Sequence, residues 1–261
     1  MDLVEKIKIL NNHLKAKNFN KVIEGAHKIL KKIPKNDYLL NLIGMAYQGR
    51  SQHNKAINYF KESLKQNPDN IAATNNYANS LKAVGKFEAS KELFEKILKV
   101  NPGYINAYNN YANLKTLYND YDGAIKLYKN ALELLKKNKN ISRSSSLGFL
   151  FSLAAAYQSN NQVEESKKVL DEIFSIDQSH TGGHKLLSSI FKYSLENKRS
   201  IDHLNQMEKI YNTDNLMIEK KIDISFSLGK AFEDLKNFDK AYNYLKKANE
   251  LRFNKFGSNF E

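Results

Sequence analysis

Residues 67–102 read NPDNIAATNNYANSLKAVGKFEASKELFEKILKVNP, and this stretch decides the fold. A proline stands near each end, Pro68 and Pro102, and the third proline of the chain, Pro34, lies the same 34 residues further upstream. Because proline fixes φ and has no N–H donor, it ends a helix. A helix stop that recurs every 34 residues predicts helical hairpins repeated along the chain.

Three series of residues extend this spacing over most of the sequence. The first is a small residue midway along the first helix of each hairpin: Gly44, Ala78, Ala112, Ala154, Ser188 and Gly229. The second is a small residue early in the second helix: Ala56, Ser90, Ala124, Ser166, Ser200 and Ala241. The third is a large apolar residue four positions later: Phe60, Phe94, Tyr128, Leu170, Leu204 and Leu245. Small residues let paired helices approach closely, and the large residue shares a helix face with the second series.

The period is that of the tetratricopeptide repeat, and residues 75–98 and 109–132 resemble that family closely. They read NNYANSLKAVGKFEASKELFEKIL and NNYANLKTLYNDYDGAIKLYKNAL. The resemblance implies an all-α, right-handed superhelical solenoid. We expect a single array over residues 1–261, with hairpins at about 2–33, 36–67, 70–101, 104–137, 144–176, 179–211 and 214–254.

Two insertions interrupt the spacing. Residues 136–146, KKNKNISRSSS, predict an extended helix end and a loop in which a serine caps the next helix. Before the last hairpin, Asp214 is expected to be the N-cap of a long helix running to about Leu235.

Residues 224–252, ISFSLGKAFEDLKNFDKAYNYLKKANELR, resemble the last repeat before the catalytic domain of bacterial TPR–sulfotransferase fusion proteins. In those fusions a strand and a phosphate-binding loop follow, but the sequence has no Gly-rich loop of that type. We therefore expect no enzymatic activity and no cofactor. The resemblance implies an alternative function, in which the chain is the substrate-recognition region of a sulfotransferase whose catalytic domain is absent from it.

Composition narrows the possible functions further. The chain has no cysteine, which excludes disulfides and thiolate metal sites, and it lacks the long apolar run of a membrane span. The net charge of +13 comes almost entirely from lysine. Nucleic-acid readers favour arginine, so this charge is interpreted as a solvated outer face rather than a nucleic-acid site. We expect a cytoplasmic protein.

The best binding candidates are asparagines on the first helices of the hairpins. Asn41, Asn75 and Asn109 recur at the 34-residue step, and Asn79 and Asn113 lie one helical turn beyond the last two. In tetratricopeptide arrays this stripe lines the concave groove. A ladder of amides can hydrogen-bond the backbone of an extended peptide. The alternative is that these amides brace neighbouring helices.

Charged residues offer fewer candidates. Lys82 and Lys115 lie on successive first helices and could bind an acidic peptide or a terminal carboxylate. His180 and His184 have the spacing of a helical metal pair, but no third ligand is evident, so we interpret them as a surface pair. The sequence thus predicts a non-catalytic protein–protein interaction scaffold that binds a polypeptide in its groove, with an unknown oligomeric state.

Overall fold

A computed structural model describes residues 2–138 and 142–257, and these residues contain no strand. Their 14 α-helices pair in chain order into seven hairpins, which confirms the predicted fold class. The helices are α1 (Leu3–Lys15), α2 (Phe19–Leu30), α3 (Asp37–Gly49), α4 (His53–Gln66), α5 (Ile71–Ala83), α6 (Phe87–Val100), α7 (Ile105–Leu117), α8 (Tyr121–Lys137), α9 (Leu147–Ser159), α10 (Val163–Ile176), α11 (Thr181–Ile190), α12 (Lys198–Tyr211), α13 (Ile218–Asp234) and α14 (Phe238–Phe256).

The chain forms two compact units, a first unit reaching to Leu134 and a second unit starting at Leu135. The boundary lies within α8. In the first unit the second helix of each hairpin packs against the first helix of the next, as α2 does on α3 and α4 on α5. The expectation of one continuous array over both units stays a prediction. None of the described helices has the length and apolar character that a membrane crossing requires.

The small residues of the first two series lie where paired helices come into contact. All of them are buried. A Cβ atom added to Gly44 would lie 2.4 Å from the ring of Phe60, so glycine is required for that close approach. In the next hairpin the Ser90 hydroxyl donates to the carbonyl of Ala78 at 2.8 Å. Ser166 makes the same bond to Ala154, so the small residues lie at the close contacts of these hairpins, as the spacing predicts.

The turns inside the hairpins contain a further repeated feature. Six of them include one residue with positive φ, and these positions follow the repeat spacing: Lys17, Ser51, Gly85, Asn119, Asn161 and Lys236. At Gly85 this conformation has no steric cost, because glycine lacks a Cβ. The sixth hairpin differs. Its first helix, α11, ends early at Ile190, and Phe191 continues in extended conformation.

Two predicted helix caps are wrong, the N-cap of α13 and the serine cap of α9. The N-cap residue of α13 is Met217, not Asp214, because a turn with Asn215 at positive φ delays the start of the helix. The end of α13 agrees with the prediction, since Leu235 is its C-cap.

The serine run forms one turn of 3-10 helix, Arg143–Ser146, directly before α9. Ser146 occupies the N-cap position of α9, but its hydroxyl donates back to the carbonyl of Arg143 at 2.7 Å and makes no capping bond. The extended helix end is present, since α8 reaches Lys137. The loop predicted around residues 139–141 lies outside the described residues.

Candidate functional site

The asparagines of α3, α5 and α7 fall into two groups. In the first group, the Asn76 amide nitrogen donates to the Asn41 side-chain oxygen at 3.1 Å. One repeat later, Asn110 donates to the Asn75 side-chain oxygen at 3.0 Å. Both acceptors are only 5% exposed. These two pairs, here called the amide braces, join the first helices of successive hairpins.

The amide braces correct part of the sequence-based interpretation. Asn41 and Asn75 were expected to line the groove, with bracing of neighbouring helices as the alternative. Both are buried, and each accepts a hydrogen bond from an amide of the next hairpin, as the alternative describes. The donors, Asn76 and Asn110, were missed. Their signal is the doubled Asn-Asn at 75–76 and 109–110, in which the first residue accepts from the following repeat and the second donates to the preceding one.

The second group consists of Asn79, Asn109 and Asn113, which are all partly exposed. Asn113 accepts a hydrogen bond from the Tyr128 hydroxyl at 2.7 Å. Within residues 2–138 and 142–257, Asn79 and Asn109 make no side-chain hydrogen bond. Each amide offers two N–H donors and a carbonyl acceptor. Asn79 and Asn109 therefore keep their full hydrogen-bonding capacity for solvent or a ligand.

The two candidate lysines have different environments. Lys115 donates to the Asp120 carboxylate at 2.7 Å and its ammonium lies 5.4 Å from the centre of the Tyr111 ring. Lys82 has no carboxylate partner in the described part of the chain, and burial lowers its pKa. A partly desolvated ammonium without a counter-ion favours binding of an anion. Of the two lysines, Lys82 is therefore the one available to a ligand.

The histidines of the sixth hairpin form a buried chain of hydrogen bonds instead of a surface pair. His184 Nε2 lies 2.9 Å from the Gln178 carbonyl oxygen, and His184 Nδ1 lies 2.8 Å from His203 Nε2. His203 Nδ1 lies 2.6 Å from the Tyr193 hydroxyl. A carbonyl only accepts, so neutral His184 donates from Nε2, His203 donates to His184, and the Tyr193 hydroxyl donates to His203.

The prediction of a surface pair at His180 and His184 is therefore wrong. His184 is fully buried, and His180 caps α11 by accepting the Gly183 N–H at 2.9 Å. The actual partner of His184 is His203, on the next helix, which sequence spacing alone did not identify. The residues that the structure describes include no group of three or more histidine, cysteine or acidic side chains that could hold a metal ion.

Solved structures of other proteins share this fold. A tetratricopeptide repeat protein from Parabacteroides merdae matches 96% of this chain and 93% of its own length, with a TM-score of 0.64 and 16% identity. Yeast Tom70 matches over 82% of this chain with a TM-score of 0.63 and 22% identity, and the match spans 43% of Tom70. YrrB, described as a TPR protein with an unusual peptide-binding site, covers 74% of this chain and 91% of its own length, with a TM-score of 0.52 and 17% identity.

Sequence comparison locates the repeats. No curated protein matches the sequence. Family models of the tetratricopeptide repeat match residues 48–118 and residues 222–255. The second match covers the segment that resembles the sulfotransferase fusions, and what it supports there is the repeat alone. The chain therefore carries tetratricopeptide repeats in both its first unit and its second unit.

Proposed function

We propose that the first unit is a non-catalytic protein-interaction scaffold that binds an extended peptide along α5 and α7. The observation that carries the proposal is the division of the polar side chains on these helices. Asn75 and Asn110 are used in an amide brace, whereas Asn79 and Asn109 make no side-chain hydrogen bond to a described residue.

The chemistry of these free groups matches the backbone of a peptide. A peptide N–H group needs a hydrogen-bond acceptor and a peptide C=O group needs a donor, and a carboxamide side chain supplies both. The braces hold α5 and α7 together, so Asn79 and Asn109 are presented from helices whose separation is set in advance. Such preorganisation reduces the entropy lost on binding.

Lys82 extends the proposal to the charge of the ligand. It follows Asn79 by three residues on α5, so the two side chains lie on one helix face. Its ammonium is partly desolvated and has no carboxylate partner in the described chain. We therefore infer that the peptide carries an acidic side chain or its terminal carboxylate near Lys82. The description of YrrB as peptide-binding supports this function by analogy.

The test starts from a displayed library of random peptides selected on the whole protein. The affinity of the selected peptides is then measured by calorimetry for the wild type and for the double variant Asn79→Ala, Asn109→Ala. Each net hydrogen bond contributes about 0.5–1.5 kcal/mol, so losing both should weaken binding about tenfold or more. Circular dichroism should show an unchanged fold.

Lys96 on α6 supplies the matched control, because it is an exposed lysine without an ion pair in the described chain. Lys82→Met should weaken the binding of acidic peptides and Lys96→Met should not. The proposal fails if the double asparagine variant binds with wild-type affinity. Equal losses for the two lysine variants, with a steep salt dependence, would assign binding to the basic outer face instead.

A further inference from the structure

The first hairpin has an open apolar trough on the side away from α3. The trough lies between α1 and α2 and has a volume of about 570 Å³. Its floor is formed by apolar residues of both helices and of the turn after α2: Leu3, Ile9, Leu10, Ile29 and Ile33. We call this surface the N-terminal trough.

The repeat spacing shows what kind of structure fits such a face. Ile9 and Ile43 are 34 residues apart and occupy the same position in the first two hairpins. Ile43 is fully buried and shares a core cluster with Val22 and Ala26 of α2, because α2 packs on α3. Ile9 is 39% exposed. The equivalent face of the second hairpin is thus covered by a helix, and the same face of the first hairpin is not.

One residue lining the trough is much smaller than its equivalent in the second hairpin. At position 25 the first hairpin has glycine, where the second hairpin has Tyr59. A Cβ atom on Gly25 would lie 2.6 Å from Leu10, so Leu10 already fills the space beside the glycine. Gly25 itself projects no side chain into the trough, and the apolar surface there is that of Leu10.

The rim of the trough is strongly basic. Four lysines line it together with His13: Lys6, Lys21, Lys28 and Lys32. None of the four makes an ion pair with a residue of the described chain. Clustered cations of this kind repel one another, and the repulsion is relieved when an anionic partner binds. The occupant is therefore expected to combine an apolar stripe with negative charges beside it.

We propose that the N-terminal trough binds an acidic amphipathic helix of a partner protein. The helix places its apolar stripe against Ile9 and Ile29 and its carboxylates against the lysine rim. A second copy of this chain is a poor occupant. Its last helix, α14, has exposed aromatic residues such as Phe238 and Phe253, but that helix carries five basic and only two acidic residues. Two basic surfaces repel each other.

The test uses a synthetic helical peptide of ~20 residues, with leucines at i, i+3, i+4 and i+7 and glutamates on the opposite face. Fluorescence anisotropy against the whole protein should show saturable binding that weakens with salt. The pair Lys21→Glu, Lys28→Glu should weaken it about tenfold or more, since each rim charge is reversed. Ile9→Asp should do the same, with its fold checked by circular dichroism.

Matched controls distinguish the trough from general charge attraction. The pair Lys96→Glu, Lys99→Glu on α6 makes the same charge change at exposed positions elsewhere and should leave the affinity within about twofold. A peptide with lysine in place of glutamate, and one of scrambled order, should not bind. Absence of saturable binding, or equal losses for the two lysine pairs, overturns the proposal.

Two further results would assign the trough to a different occupant and equally overturn the proposal. One is concentration-dependent self-association in sedimentation that Ile9→Asp abolishes, which would make the occupant a second copy. The other is binding to phosphatidylserine vesicles that Ile9→Asp abolishes while the acidic peptide does not bind, which would make it a membrane surface.

Discussion

The two units place polar groups in their interiors in different ways. In the first unit the buried Asn41 and Asn75 accept hydrogen bonds from the following hairpin, and the same pairing is used twice. In the second unit the sixth hairpin buries His184, His203 and Tyr193 in one chain of hydrogen bonds, which no other described hairpin repeats. A regular repeat can use the same uncharged pair again in the next hairpin. The irregular hairpin instead pairs its buried polar groups through histidine and tyrosine side chains.

The irregularity has a structural origin. Because α11 ends at Ile190, the segment after it runs extended and brings Tyr193 into the core, with its N–H donating to the Asp234 carboxylate at 3.2 Å. The Tyr193 hydroxyl then needs an acceptor away from water, and His203 supplies it. The difference between the units is therefore also a difference in titratable groups. Asparagine does not titrate, but histidine does.

The largest expected effect tests what the two units share. Gly44→Leu in the first unit and Gly229→Leu in the second should each lower the free energy of unfolding by about 3 kcal/mol. The added side chain overlaps Phe60 in the first case and Leu245 in the second. Gly148→Leu is the control, since no atom lies within 4 Å of its added Cβ. Denaturant unfolding measures the losses. Tolerance of leucine in one unit only would mean that the hairpins close differently.

The next effect should separate the units. Burial, with smaller contributions from His184 and Arg199, lowers the pKa of His203 to about 3. Burial likewise lowers the pKa of His184, against the opposing effect of the hydrogen bond that His184 donates to the Gln178 carbonyl. A histidine in the unfolded chain has a pKa near 6.5, so on acidification the unfolded chain binds protons that the folded chain does not bind. The contribution of neutral His203 to the free energy of unfolding is therefore present above pH ~6.5 and lost on acidification. Between pH 7 and pH 5 the loss should be about 2 kcal/mol.

Hydrogen exchange, corrected for its intrinsic pH dependence, locates this loss. Protection should fall in residues 181–211 and change less in residues 37–117. The double variant His184→Gln, His203→Gln should lose most of the pH dependence, because glutamine hydrogen-bonds without titrating. His180→Asn is the control, since His180 caps α11 outside the buried chain. An unchanged pH profile in the double variant would mean that other titratable groups cause the acid sensitivity, and Asp177, whose charge acts on His184, would be tested next.

A smaller effect should distinguish the two groups of asparagines in the first unit. Asn75→Ala removes the acceptor of Asn110 inside the interface and should cost about 1 kcal/mol. Asn79→Ala removes a side chain that makes no hydrogen bond to a described residue and should change stability by less than about 0.5 kcal/mol. Thermal and denaturant unfolding measure both variants. Equal losses would mean that Asn79 also braces the helices.

The smallest effect concerns the two candidate lysines. Lys82→Met removes a partly desolvated charge and should leave stability unchanged or raise it by a few tenths of a kcal/mol. Lys115→Met removes the ion pair with Asp120 and should lower stability by a similar amount. Melting curves recorded under the same conditions should show no decrease in melting temperature for Lys82→Met and a small decrease for Lys115→Met. A clear loss for Lys82→Met would show that its ammonium has a partner in the fold.

Much of the fold could be predicted from the sequence, because each hairpin needs small residues where its helices meet. The spacing of Gly44, Ala78 and Ala112 therefore located the close contacts. The start of α13 could not be predicted in the same way. Asp214 has the right chemistry for an N-cap, but the backbone turn at Asn215 decided where the helix began.

The candidate site was predicted less completely. The recurrence of Asn41, Asn75 and Asn109 drew attention to α3, α5 and α7, but periodicity says only which face of a helix a side chain occupies. Whether that side chain meets another repeat or solvent depends on the distance between helices. That distance separated the braced Asn75 from Asn79. The difference between Lys115 and Lys82 is local, because Lys115 forms an ion pair with Asp120 in the turn directly after α7.

By itself the sequence determined the repeat period, the helical hairpins and the small residues that close them, because these follow from local sterics and spacing. Only the tertiary structure decided which polar groups are paired. The partners of Asn41 and of His203 lie on other helices, and hydrogen bonds of this kind depend on how whole helices pack. Both braces join residues that are 35 apart, but a constant spacing does not say which amides meet. The 19-residue separation of His184 and His203 is not a repeat distance, so the buried histidine chain appeared only in the folded molecule.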